Sequence, residues 1–323
     1  MDLTDLLTDF LEYCEIERNR SQKTVQNYDH YLRRFLAWMK VKEPKEITLP
    51  LVKKYRLLLN RHIDPTTKKP LKKITQAYHI IALRSFLKYL SKQDIETLAP
   101  EKIELPKTDS RSINFLDDEE LERLLAAPFQ HPKYKTRNKP EIDIATLRDK
   151  AILELLFSAG LRVSELANLD RRSLNLNKDE FTVTGKGDKT RVAFLSPAAK
   201  EAIKKYLERR HDTFDALFIS HDKKSIGRTK QDVVENQPRL TPRSIQRIIK
   251  MYSQIAGINK DITTHSLRHT FATDLLLNGA DIRSVQAMLG HASITTTQIY
   301  THITNKQLKE TYQKFHSRKR KNQ

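Results

Sequence analysis

Arg162 stands at a point in the chain where a guanidinium could be held rigidly enough to bind a phosphate. A predicted apolar helix ends at Ser158-Ala159-Gly160, and Arg162 follows two residues after Gly160. An arginine beside an apolar core is costly unless it is paired, and Glu165 can pair with it because residues three apart share a helical face. The pattern indicates either a structural ion pair or an arginine whose planar fork is oriented to grip a phosphate.

His265 and Arg268 form a second candidate pair, within the segment 264–271. They are three residues apart, so a helix would place them on one face. Leu267 and Phe271 would then mark the opposite, buried face. One histidine with one arginine is by itself weak evidence of catalysis.

Lys186 and Tyr300 add two more candidate groups. The lysine could transfer a proton, and the tyrosine hydroxyl could attack a phosphorus atom. Lys186 lies in a glycine-containing turn between two predicted strands, 181–184 and 192–195. A lysine in a turn is usually only solvated, but one on a mobile turn could reach a DNA groove and donate a proton. A lone tyrosine at position 300 would more often be a packing residue.

Together these groups suit attack on a phosphodiester. Two arginines and a histidine can stabilise the negative charge that builds on the non-bridging oxygens, without a metal. Lys186 could protonate the leaving sugar oxygen, and the phenol of Tyr300, with an ordinary pKa of about 10, needs a base, for which His265 is the best candidate. The chain offers no carboxylate cluster for Mg²⁺ and no phosphate-cradling loop, so we expect no cofactor and no metal, and resealing without ATP.

The charge of the chain indicates a polyanionic partner. The chain has 323 residues, with 59 Lys and Arg against 40 Asp and Glu, which gives a net charge of +19. Nucleic acid is the first candidate partner and an anionic membrane surface the second, although charge alone does not exclude a merely basic protein. With Cys14 as the single cysteine, no internal disulfide is possible. No leader-like or membrane-spanning stretch occurs, which predicts a cytoplasmic, nucleoid-associated protein.

The pattern of apolar residues predicts two domains and a mainly α fold with a small β-sheet. Residues 1–91 read as four helices with a basic side, residues 92–111 as a linker, and residues 112–323 as a catalytic domain with a C-terminal tail. Ser21 is a predicted N-cap, Pro50 a first-turn proline, and Asp117 with Glu120 a capping box.

Five segments resemble the tyrosine recombinases, also called phage-type integrases, and most closely the Xer recombinases. They occur in the order of that family and end in the tyrosine: 160–166, 185–191, 265–273, 289–293 and 295–302. The resemblance covers the whole chain, most strongly from Leu116 onward. It implies a two-domain clamp on DNA, with an N-terminal SAM-like helical domain and a C-terminal catalytic domain.

The resemblance also assigns the phosphate-binding groups. Arg162 and Arg268 are expected to clamp the scissile phosphate, and His291 to hydrogen-bond it. Glu165 is expected to support Arg162 as an accessory residue.

The same resemblance assigns the groups that move protons and form the covalent bond. Lys186 is expected to be the general acid for the 5′ oxygen, and His265 to assist proton transfer. Tyr300 is expected to become joined to the 3′ phosphate.

The implied partners are double-stranded DNA with a short, nearly palindromic site and further recombinase subunits. Four protomers, of this chain or with a paralogous recombinase, would act on two sites, with a DNA translocase as a possible regulator. The tail after Tyr300 resembles a segment passed to a neighbouring subunit, with apolar anchors Leu308, Tyr312 and Phe315. Two stretches, Pro132–Glu141 and Asp222–Arg239, look longer than in compact Xer proteins.

The sequence is compatible with three alternative functions. The first is a recombinase that resolves chromosome or plasmid dimers, with integration or excision of a mobile element as the runner-up using the same chemistry. The second is a type IB topoisomerase, which the exchange-like tail argues against. The third is a DNA-binding protein without catalysis, which the complete catalytic set argues against.

Overall fold

The computed structural model describes residues 2–65, 68–105, 114–130, 142–185, 190–221 and 239–290. This part of the chain is mainly helical with a single two-stranded sheet, which confirms the predicted fold class. The chain divides into two compact units, Met1–Arg111 and Ser112–Gln323.

The first unit is a helical bundle around its own core. Its α-helices are α1 Leu3–Ile16, α2 Gln22–Met39, α3 Leu49–Arg61 and α4 Lys73–Lys92. Ser21 has the extended backbone of an N-cap before α2, and Pro50 lies in the first turn of α3, where no helical N–H is needed. The apolar stripes of the helices are buried against one another, as the spacing of the apolar residues predicts.

The described part of the expected linker, up to residue 105, packs on this first core. Ile103 is buried, and Ile95 and Leu98 lie against the same cluster. The hydroxyl of Thr97 donates to the carbonyl of Pro44 at 3.1 Å. Prolines and broken periodicity are common both to a free linker and to a segment that lies along a domain, so the sequence pattern could not separate the two.

The second unit contains the remaining regular elements that the structure describes. They are α5 Asp118–Ala126, α6 Ile144–Ala159, α7 Val163–Ala167, β1 Glu180–Thr184, β2 Thr190–Phe194, α8 Pro197–Glu208, α9 Pro242–Ile255, α10 Thr264–Leu277 and α11 Ile282–Leu289. The predicted capping box opens α5: Asp117 accepts from the Glu120 N–H at 2.8 Å, and Glu120 accepts from the Asp117 N–H at 3.1 Å.

Helix α6 forms the centre of the second core and is buried on nearly all sides. Even its charged residues Arg148 and Asp149 are buried, and they pair at 2.7 Å. Tyr252 of α9 donates to Asp149 at 3.0 Å, and Arg148 donates to the carbonyl of Ile219 at 3.0 Å. These bonds satisfy charges that would otherwise be costly in the core.

Strands β1 and β2 form the predicted hairpin and pair antiparallel, with Glu180 opposite Phe194 and Thr184 opposite Thr190. Strand β1 ends at Thr184 as predicted, and the other three strand ends differ from the expected ones by one or two residues. Because side chains alternate along a strand, Arg191 and Ala193 of β2 point to the same, inner face.

The two predicted long stretches lie almost wholly outside the described residues. Residues 132–141 and 222–238 are among the undescribed positions, and Arg239 is described. Arg239 forms an antiparallel bridge with Ile219 and an ion pair with Asp170 at 2.5 Å. Ile219 and Arg239, which lie on either side of residues 222–238 in the sequence, are therefore neighbours in the fold.

Across the described ranges, no helix is both long and apolar enough to cross a membrane. Among the same residues, no group of three or more His, Cys, Asp or Glu side chains could hold a metal ion.

Candidate active site

Three arginines from separate elements converge on the C-terminal end of α11. Arg191 of β2 donates to the carbonyl of Met288 at 2.5 Å, and Arg162 donates to that of Gly290 at 3.3 Å. Arg268 of α10 donates to the carbonyl of Leu289. The last carbonyls of a helix have no partner inside it and carry its negative end, so they suit guanidinium donors. The site is therefore strongly cationic around one helix terminus.

Glu165 joins two of these arginines. Its carboxylate accepts from Arg162 Nη1 at 2.7 Å and from Arg191 Nη2 at 3.0 Å, and it also accepts from the backbone N–H of Arg162 at 2.9 Å. Its side chain is only 2% exposed. Burial raises the pKa of this carboxyl, but the hydrogen bonds from Arg162 and the charges of Arg191 and Arg162 outweigh it and hold the pKa below its ordinary value.

Arg162 sits at the entrance of α7 and remains partly open to solvent. It is the N-cap residue of that helix, and one third of its side chain, 33%, is exposed. Within the part of the chain that the structure describes, its side chain donates to Glu165 and to the carbonyl of Gly290. A guanidinium has five N–H donors, so Arg162 can be held in place and still present donors to a ligand.

Arg268 is more deeply placed than the helical pattern predicts. Arg268 is 4% exposed, and its Nη1 donates to the carbonyl of Gly160 at 2.7 Å. Leu267 is buried as expected, whereas Phe271 is only half-buried and packs toward Gly160. Two backbone carbonyls offset the burial of the Arg268 charge, a compensation that helical periodicity does not reveal.

His265 lies exposed at the start of α10, one helical turn before Arg268. The neighbouring His269 is half-buried, and burial, followed by the charges of His265 and Arg268, lowers its pKa to about 4. At neutral pH His269 is therefore uncharged.

Gly290 lets Arg191 pass close to the backbone. Its φ of +63° is a left-handed conformation that ends α11, and an added Cβ would lie 2.7 Å from Cδ of Arg191. Gly160 is similar, since a Cβ there would lie 2.5 Å from Cδ1 of Phe271. The glycines that border the candidate residues thus make room for side chains of the site.

We expect Gly290→Ala to destabilise the protein by about 1–2 kcal/mol from the left-handed backbone, with a further loss from the clash with Arg191. Gly257→Ala is the matched control, because Gly257 has φ of +66° and nothing within 4 Å of an added Cβ. Urea unfolding of both variants measures the difference. Equal losses in the two variants would show that Arg191 does not press against position 290.

We also expect Glu165→Gln to lower the free energy of unfolding by about 3 kcal/mol at neutral pH, since it leaves two guanidinium groups without their buried carboxylate. The pKa of Glu165 is lower in the folded state than its ordinary 4.5. Its stabilisation is therefore fully present above that pH and disappears as the pH falls through the folded value.

Urea unfolding as a function of pH checks this prediction. The gap in stability between wild type and Glu165→Gln should be wide at pH 7 and should narrow on acidification below pH 4.5. A gap that stays constant with pH would contradict the ionic role.

The structure brings together Arg162, Glu165 and Arg268, while Lys186, His291 and Tyr300 lie outside the described residues. Sequence reasoning missed Arg191, which it treated only as the last residue of a turn segment. The alternation along β2 was a usable signal, because it puts this arginine on the same inner face as Ala193. An inward arginine requires a carboxylate or carbonyl partner.

Comparisons with known proteins identify the family of this chain. The model of the phage integrase family matches residues 114–307, and that of the phage integrase N-terminal SAM-like domain matches residues 7–94. Tyrosine recombinase XerD of Oceanobacillus iheyensis is 36% identical over 97% of this chain and 98% of its own. Tyrosine recombinase XerC of Thermodesulfovibrio yellowstonii is 35% identical over 96% of this chain and 95% of its own.

A solved structure shares the fold. The crystal structure of XerH site-specific recombinase bound to palindromic difH substrate, in a post-cleavage complex, has a TM-score of 0.65 at 21% identity, covering 94% of this chain and 83% of that one. At that identity the likeness shows the fold alone. From its family match and its near-full-length relatives, the chain belongs to the phage integrase family and is a tyrosine recombinase of the Xer type.

Proposed function

We propose that this protein cuts and rejoins double-stranded DNA at a short, nearly palindromic site through a 3′-phosphotyrosyl intermediate on Tyr300. The observation that carries the proposal is the convergence of Arg162 and Arg268 on adjacent carbonyls at the end of α11. His291, the next residue of the chain after Gly290, is proposed to add a hydrogen bond to the same phosphate.

In this proposal the two arginines stabilise charge as it develops. Attack by the phenol of Tyr300 places extra negative charge on the non-bridging oxygens of the phosphate, and preorganised donors stabilise that charge with no reorganisation of solvent. Glu165 supports the proposal, because it holds Arg162 from two directions, through its backbone N–H and its guanidinium.

Proton transfer completes the proposed reaction. Lys186 donates a proton to the leaving 5′ oxygen, and His265 accepts the proton of the Tyr300 hydroxyl. His265 is exposed one helical turn before Arg268, a position compatible with access to bound DNA. In the reverse step the released 5′ hydroxyl attacks the phosphotyrosine, so that the ester energy is retained and no ATP is consumed.

The surface of the first unit supports a DNA substrate. The exposed basic residues on and between α2, α3 and α4 include Arg33, Lys53, Lys54, Lys68, Lys69, Lys72, Lys73 and Lys88. Neutralising phosphates releases counterions and drives binding, so affinity should fall steeply with salt. With DNA as its substrate, the protein would act at the nucleoid.

Resolution of chromosome or plasmid dimers is the role we favour, because the relatives at about 35% identity are named XerD and XerC. On this proposal four protomers, alone or with a paralogous recombinase, act on two copies of the site. A DNA translocase is a further proposed partner.

A two-site plasmid assay tests the proposal. The binding site is first selected from a random DNA library and then placed twice, in direct repeat, on a plasmid. We expect the wild-type protein to resolve the plasmid into two circles, and neither Tyr300→Phe nor a scrambled site to give product.

The other outcomes distinguish the competing functions. Relaxation of supercoils on plasmids without a paired site, with no exchange, would indicate a topoisomerase. Exchange only between two unlike sites would indicate integration of a mobile element, and site-specific binding with no covalent adduct would indicate a DNA-binding protein without catalysis.

A further inference from the structure

Arg191 connects three parts of the candidate site. It lies on β2, opposite Val183 of β1, beside the last strand pair before residues 185–189, a stretch that includes Lys186. Its Nη2 reaches Glu165 at 3.0 Å, and its Nη1 reaches the carbonyl of Met288 at 2.5 Å. A single guanidinium therefore joins the hairpin, the carboxylate that holds Arg162, and the end of α11.

Arg191 has little capacity left to contact DNA itself. Its side chain is 9% exposed, and both terminal nitrogens are engaged. Its Nε is buried and has no hydrogen-bond partner in the part of the chain that the structure describes. Arg162, by contrast, is 33% exposed. The two arginines share Glu165, but only Arg162 is open toward a ligand.

We infer that Arg191 is a positioning residue for DNA cleavage, which holds the β1–β2 strand pair and Arg162 in register by bridging Glu165 and the Met288 carbonyl. This inference rests on the proposed function. It goes beyond the phosphate-binding and proton-transfer groups, because Arg191 acts on the reacting atoms only through other residues.

The geometry requires an arginine. The two acceptors, Glu165 and the Met288 carbonyl, are bound by different nitrogens of one planar fork. A lysine ammonium is a point charge on a flexible stem and can satisfy one of them well but not both. The absence of a side chain at Gly290 leaves the space that the Arg191 stem occupies.

Single-turnover cleavage of a nicked DNA substrate tests the inference, with adduct formation by the wild type as the reference and Tyr300→Phe as the blank. We expect Arg191→Gln to cleave about 100-fold more slowly at saturating protein, as misplacement of catalytic groups does elsewhere, with DNA affinity little changed. Arg191→Lys should recover part of the rate. Arg172→Gln is the control, since that arginine is in the same unit with its side chain 80% exposed, and it should cleave like the wild type.

Two readouts separate positioning from a merely structural role. The losses from Arg191→Gln and Glu165→Gln should be strongly non-additive in the double variant, because the first acts through the second. Among the described residues, the charged groups that face Glu165 are Arg162 and Arg191. Without the Arg191 charge the carboxyl of Glu165 protonates at higher pH, so the acid limb of the cleavage-rate profile should move to higher pH in Arg191→Gln.

Additive losses with an unmoved pH profile would overturn the inference, and so would DNA affinity that falls as far as cleavage. If Arg191→Gln does not fold, as judged by thermal unfolding, Arg191→Lys decides the question by cleavage rate, DNA affinity and non-additivity with Glu165→Gln, since it keeps the charge but not the planar fork. A wild type that forms no adduct would count against the proposed function, whereas an active wild type with fully active Arg191 variants would refute this inference alone.

Discussion

Tyr300→Phe is expected to form no covalent adduct with DNA while it binds the recombination site as tightly as the wild type. Phenylalanine keeps the ring but lacks the hydroxyl that is proposed to attack the phosphate. On a substrate nicked beside the cleavage position, the short cleaved fragment diffuses away, so a wild-type adduct should accumulate and be visible by denaturing electrophoresis.

Tyr78→Phe provides a matched control for this variant. Tyr78 is 46% exposed on the first unit, and its substitution should leave adduct formation unchanged. An adduct formed by Tyr300→Phe would assign the nucleophile to another residue.

Arg268→Ala should cleave about 100- to 1,000-fold more slowly, the usual loss when one preorganised donor to a developing oxyanion is removed. Its DNA affinity should change little, because one contact among many phosphate contacts contributes little to binding, whereas the same charge is central in the transition state. Gel-shift titration and suicide-substrate cleavage measure the two quantities side by side.

Arg268 also holds the backbone, so a second variant is needed. It donates to the carbonyls of Gly160 and Leu289, and alanine leaves both without this donor. Arg268→Lys keeps the charge but cannot reproduce the fork, and it should also cleave slowly while folding more stably than Arg268→Ala. A gel-shift affinity that collapses together with cleavage in both variants would make Arg268 a binding residue instead.

The elements of the fold could be predicted wherever local chemistry decides them. The capping box of Asp117 and Glu120, the proline in the first turn of α3 and the pairing of β1 with β2 depend on residues close in sequence. The packing of Ile103 on the first core could not be predicted, since one apolar residue among polar neighbours does not show which surface it will meet.

In the candidate site, too, some contacts could be predicted from local sequence and others could not. The pairing of Arg162 with Glu165 follows from their spacing of three residues, and the structure shows it at 2.7 Å. The second partner of Glu165 is Arg191, 26 positions along the chain, and no spacing rule relates residues that far apart. The burial of Arg268 likewise depends on carbonyls from two distant helix ends. Local spacing in the sequence therefore predicts the arginines and the carboxylate of the site. Only the tertiary fold shows which distant residues are their hydrogen-bond partners.

We propose that Arg162 and Arg268 act together on the negative charge of a single DNA phosphate. A substrate whose scissile phosphate is replaced by a methylphosphonate tests it, because a neutral methyl group takes the place of one charged oxygen. With less charge to stabilise, the wild type should lose most of its advantage over Arg268→Ala, and the ratio of their first-step cleavage rates should fall from the hundreds toward unity. A ratio that is the same on the charged and the neutral substrate would contradict the account.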